Sequence, residues 1–138
     1  MPHLHRRTVL ATGLAALLAP IARASETLDY SDGLIETALA NGETVFVEYG
    51  AKWCSTCARQ QRVIGALRAA NPAYDAAMMF VRVDWDAFRR EEVTTSRNIP
   101  RRSTLVLLRG EEELGRLVAS TREADIKALL DLGLVPAT

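Results

Sequence analysis

Three features of the sequence predict an α/β domain with a central mixed four-stranded sheet and helices on both faces. Short, nearly continuous apolar runs rich in β-formers alternate with stretches of helical periodicity, the pattern of buried strands and their covering helices. The first two such runs are separated by a helix-length stretch, which calls for a parallel crossover; the last two are separated only by Arg109-Gly110-Glu111, which calls for an antiparallel hairpin. The two cysteines, Cys54 and Cys57, sit where the first strand hands over to a helix, the carboxyl edge of the sheet, where α/β folds place their chemistry.

Each element has its own signal. Leu34, Ile35, Ala38 and Leu39 recur at helical spacing, and Asn41-Gly42 stops that helix. Thr44-Val45-Phe46-Val47-Glu48-Tyr49 reads as a strand buried on both faces. Gly50-Ala51-Lys52 leads to the cysteines, and Val63, Ile64 and Leu67 then mark one face of a helix from Arg59 to Ala70 that Asn71-Pro72 ends. Met78 to Asp84 reads as a second strand, with Met78 and Met79 as core, and Phe88 to Asn98 as a weak helix. Thr104 to Leu108 and Glu113 to Val118 form the hairpin, and Ser120-x-x-Glu123 predicts a capping box for a last helix carrying Ile126, Leu129 and Leu130, with Gly133 beyond its end.

Residues 1–24 read as a cleavable export signal ahead of one domain at 25–138. Met1 to Ala24 holds Arg6, Arg7 and Arg23 and no acid; Arg6-Arg7 precedes a moderately apolar stretch from Val9 to Ala19, and the segment ends in the small-x-small run Ala22-Arg23-Ala24. The paired arginines resemble a twin-arginine signal, with a general secretory signal as the alternative. Either predicts a periplasmic product with no stable membrane insertion once cut, because the apolar core falls short of the about 20 residues that span a bilayer. Of the chain's 17 basic and 17 acidic residues, the signal takes three arginines, which leaves a net charge of about −3 and no electrostatic basis for nucleic-acid binding.

Trp53-Cys54-Ser55-Thr56-Cys57 carries the functional reading. A disulfide closed over two residues removes little unfolded-state entropy, so its use is redox chemistry rather than stapling. A structural zinc ion wants four Cys or His ligands, and both histidines, His3 and His5, fall within the signal. Without a histidine, Cys-His and Ser-His-Asp catalysis are also ruled out. No cofactor or metal is expected; copper(I) on the two thiolates, as in a delivery protein, and a non-catalytic interaction module stay as alternatives.

The pentapeptide, the apolar strand with its single carboxylate and the element order resemble the thioredoxin family over nearly all of residues 30–132. The resemblance implies a thioredoxin-like fold and thiol-disulfide oxidoreductase activity on protein disulfide substrates. It also implies a buried acid six positions before the first cysteine, here Glu48, and a cis-proline loop against the disulfide, for which Ile99-Pro100 is the matching pair, with Trp53, Ile99 and Pro100 on the substrate side. Here Pro100 is followed by Arg101-Arg102-Ser103 before the strand. Either the loop carries an insertion or Ser103 holds the proline position; Pro100 is the residue expected beside the disulfide.

Cys54, at a helix N-terminus among unpaired N–H groups, is expected to be the exposed nucleophile. Cys57, one turn in, is expected to be buried and to resolve the mixed disulfide, with Glu48 assisting its deprotonation. Ser55 and Thr56 add no charge to stabilise a thiolate, so the expected direction is reduction, with re-reduction by a membrane electron donor.

Overall fold

A computed structural model describes residues 26–137, and the expected export segment lies outside them. The order is β1 (Leu28–Asp29), α1 (Leu34–Ala40), β2 (Thr44–Gly50), α2 (Ser55–Ala70), α3 (Ala73–Ala77), β3 (Met78–Asp84), α4 (Trp85–Phe88), α5 (Glu92–Thr95), β4 (Thr104–Arg109), β5 (Glu112–Val118) and α6 (Glu123–Leu132). The sheet runs β1-β3-β2-β4-β5. β1, β3 and β2 are mutually parallel, while β4 runs antiparallel to both β2 and β5. The βαβ crossover and the hairpin thus stand as read, with β2 central.

The sheet has five strands where four were expected. The extra one, β1, pairs Leu28 with Val81 and Asp29 with Arg82. Both of its residues are exposed, and two residues carry no periodicity to read. The expected helix from Phe88 to Asn98 is instead two four-residue helices, α4 and α5, of which only α5 buries side chains, Val93 and Thr94. The predicted capping box is not formed. Arg122 is the N-cap of α6 without a side-chain bond, and the Ser120 hydroxyl donates to Asp125 at 2.6 Å.

Period-two alternation divides the core. Val45, Val47 and Tyr49 of β2 pack with Ile35, Ala38, Val81, Val83, Val106 and Leu108 on the α1 side. Phe46 packs with Ile64 and Leu67 of α2, Phe80, Leu105 and Leu107, and Ile126, Leu129 and Leu130 of α6 on the other. Each such large side chain contributes about 1.5–3 kcal/mol by leaving water, so both faces are firmly held to β2. The Tyr49 hydroxyl donates to the Val93 carbonyl at 2.7 Å and ties α5 to the central strand. The consequence for function is positional: the end of β2 and the start of α2 are fixed by packing on two sides.

Candidate active site

Ser55 opens α2, and Cys54 is its N-cap, in extended conformation, with its sulfur accepting the Cys57 N–H at 3.2 Å. A helix-terminal amide and the positive end of a 16-residue helix therefore point at the first sulfur. Cys54 and Cys57 form a disulfide with Cα atoms 5.3 Å apart. One expectation is corrected here. Cys54 is as buried as Cys57, 4% against 3% exposed, so exposure does not separate the two. The difference is local: Cys54 takes the helix-terminal amide, whereas Cys57 lies against Gly50, where an added Cβ would come within 3.4 Å of its own.

What covers the sulfurs is Ser103. Its hydroxyl lies 3.2 Å from Cys54 Sγ and 3.2 Å from Cys57 Sγ. The assignment of Pro100 to the position beside the disulfide is therefore corrected. Pro100 is exposed, Ser103 stands against the sulfurs, and no cis peptide bond occurs among the described residues. The reason is registry. Ser103 directly precedes β4 and its N–H donates to the Tyr49 carbonyl at 2.7 Å, extending the β2–β4 ladder to the cysteine end, which leaves Pro100 three residues short. Ile99 is also not at a substrate surface, for it is buried in the α1-side core.

Ser103 is completely buried with φ at 63°, in the left-handed region that non-glycine residues avoid. Its backbone is held from both sides. Beside the bond to Tyr49, its carbonyl accepts from Ala119 N–H at 2.8 Å and from Gln60 Nε2 at 3.0 Å. Gln60 Nε2 also reaches the Ser120 carbonyl at 2.9 Å. Sequence reasoning missed Gln60, though a signal exists: with Ile64 and Leu67 it follows i, i+4, i+7, a polar residue inside the apolar stripe of α2.

Glu48 alternates with Phe46 and Gly50 and so faces α2, the same side as Cys57. It is 5% exposed, opposite Arg82 in the β2–β3 ladder, with the Arg82 guanidinium 3.5 Å away. Burial raises its carboxyl above the ordinary range, and Arg82 opposes that shift only in part. A buried carboxyl with raised affinity for protons therefore lies on the α2 face of β2.

Trp53, by contrast, is 60% exposed. Its indole N–H donates to Asp86 of α4 at 2.7 Å, and the Arg102 guanidinium stacks over its ring at 4.4 Å. The rim beside Cys54 is thus an ordered aromatic plate carrying a cation. Among the described residues no group of three or more His, Cys, Asp or Glu could hold a metal, and no helix is long and apolar enough to cross a membrane.

A disulfide across two residues at a helix N-terminus, on the carboxyl edge of a mixed sheet, defines a thiol-disulfide exchange protein. The Thioredoxin family model matches residues 27–132, and the chain belongs to the thioredoxin family. It is 30% identical to Trxlp from Edwardsiella tarda, with a TM-score of 0.64 over 75% of this chain and 98% of that one. The reduced thioredoxin pre-protein of Schistosoma mansoni gives 26% identity and a TM-score of 0.60 over 78% and 97% of the two chains. Thioredoxin H5 of Oryza sativa subsp. japonica is 26% identical over 113 residues, 72% of this chain and 79% of that protein. With the Cys54–Cys57 pair in place, the protein is a thiol-disulfide oxidoreductase of a family that acts on protein disulfides.

Proposed function

We propose that the enzyme is an exported reductase of the periplasm. Cys54 thiolate attacks a protein disulfide, forming a mixed disulfide and releasing one substrate thiolate. Cys57 passes its proton to Glu48 and attacks Cys54 Sγ, which closes the Cys54–Cys57 bond and expels the second thiolate. Two electrons from a membrane carrier then reopen the pair. The observation that carries the order of attack is the Cys57 N–H on Cys54 Sγ at 3.2 Å, since that amide favours a thiolate on the first sulfur. Burial of Glu48 supports the second step, because a carboxyl with raised affinity for protons can take one near neutrality. Arg6-Arg7, the apolar stretch after them and Ala22-Arg23-Ala24 support export. Uncharged Ser55 and Thr56 support reduction as the direction.

The test is trapping in a periplasm-bearing host. Cys57→Ala should accumulate mixed disulfides through Cys54 with exported proteins, and Cys54→Ala none. The isolated pair should show a midpoint closer to thioredoxin's, about −270 mV, than to the strong oxidant's, about −120 mV. Retention of the chain in the cytoplasm would refute the location, and a midpoint at or above the disulfide-isomerase range would reverse the direction.

A further inference from the structure

We propose that the Ser103 hydroxyl is a catalytic group: a hydrogen-bond donor to whichever sulfur of the pair carries the negative charge. The inference rests on the thiol-disulfide chemistry above and adds a residue to it. Its hydroxyl is equidistant from the two reacting atoms, 3.2 Å from each sulfur. A hydroxyl has one proton to give and rotates freely about its C–O bond, so a small turn redirects it from one sulfur to the other.

Ser103 is also held in place by more bonds than its conformation favours. A left-handed φ of 63° at a residue with no exposed surface persists only where the surroundings enforce it. Here Tyr49, Ala119 and Gln60 hold its N–H and carbonyl, leaving the hydroxyl as its one polar group free to serve the sulfurs. Among the charged side chains nearby, Glu48 of β2 pairs with Arg82 of β3, and Asp86 of α4 and Arg102 of the same loop meet Trp53. The hydrogen-bond contacts of the two sulfurs are with neutral groups, the Cys57 amide and the Ser103 hydroxyl.

In the reduced enzyme the hydroxyl donates to the Cys54 thiolate. When that thiolate has bonded to a substrate sulfur, the charge has left with the first substrate thiolate and Cys54 no longer needs the donor. The hydroxyl then donates to Cys57 as it loses its proton, and Cys57 attacks Cys54 Sγ. Ser103 keeps its own proton throughout, and the two electrons pass between sulfurs as in any disulfide exchange.

The experiment compares the reduced full chain with Ser103→Ala and Ser103→Gly. Ala removes the hydroxyl and keeps the Cβ; Gly removes it and relieves the left-handed strain, so folding of the loop is not the limiting factor. Thiolate absorbance against pH and the rate of Cys54 alkylation are read for each. Loss of a hydrogen bond to a charged group should cut the thiolate about tenfold at a fixed pH below the titration midpoint, in both variants. The redox midpoint should fall by up to about 30 mV, that tenfold change expressed as a two-electron potential. Parent-like titration in both variants, with disulfide exchange intact, would overturn the role of Ser103 and leave the exchange activity standing. Parent-like behaviour of Ser103→Gly alone would assign the effect to loop geometry and equally overturn it. A parent pair that fails to equilibrate with a glutathione series would instead remove the exchange chemistry itself.

Discussion

Replacing Gln60 with Met tests whether α2 holds the loop over the disulfide. Met is unbranched and close in size, so it fills the same volume without a donor. Two neutral hydrogen bonds are lost, at 3.0 and 2.9 Å, each contributing about 1 kcal/mol net. The Ser103 carbonyl keeps its bond from Ala119, and Ser120 is only half-buried, so water can reach it. Neither acceptor then carries the full penalty of an orphaned group. More favourable burial of the thioether returns part of the loss, which leaves a net destabilisation of about 1–2 kcal/mol. At roughly 4 °C per kcal/mol for a domain of this size, Tm should drop by about 4–8 °C. Urea unfolding of the oxidised protein measures it, with the m-value unchanged if the compactness of both states is preserved. Because Gln60 positions Ser103, the variant should also titrate Cys54 at higher pH than the parent, a shift that lost stability alone does not produce. Stability within about 0.3 kcal/mol of the parent, together with an unmoved titration, would refute the clamp.

Glu48→Gln should slow resolution of the mixed disulfide on the order of a hundredfold while leaving its formation nearly unchanged, as stopped-flow mixing can separate the steps. The same variant carries a stability signature. Burial raises the Glu48 carboxyl, so its neutral form is the one the fold favours, and the parent loses stability as pH rises from the ordinary carboxylate range through the raised value. Glu48→Gln lacks that loss, so its stability relative to the parent should climb across this window and level off above it; a pH-independent difference would count against the buried-acid account. Arg102 lies at the rim, stacked on Trp53, and Arg101 precedes it on an exposed bend. Changing both to Ser should leave reduction of small disulfides unchanged but slow reaction with an acidic protein partner at low salt. That loss should shrink at high salt, where exposed charges are screened beyond about 10 Å at 0.1 M.

The central strand, the crossover, the hairpin and the position of the redox pair were legible in the chain before any contact was known. These follow from short-range signals: Val45 to Tyr49 is apolar at every position but Glu48, and the cysteines are adjacent to the helix start in the chain itself. Glu48 was legible through the family resemblance, which implies a buried acid six positions before the first cysteine. What lies across from the cysteines was not legible in the chain. Whether Pro100 or Ser103 reaches them depends on the register of β4 against β2, and the bond from Ser103 N–H to Tyr49 carbonyl that sets it joins residues far apart in sequence. The equal burial of Cys54 and Cys57, the five-stranded edge at Leu28–Asp29, the arrest of α4 and α5 and the role of Gln60 are likewise products of contacts between distant segments. Periodicity reports which face of an element is buried. Which residue meets it from the opposite side is fixed only when the sheet closes and backbone hydrogen bonds choose one register over its neighbours.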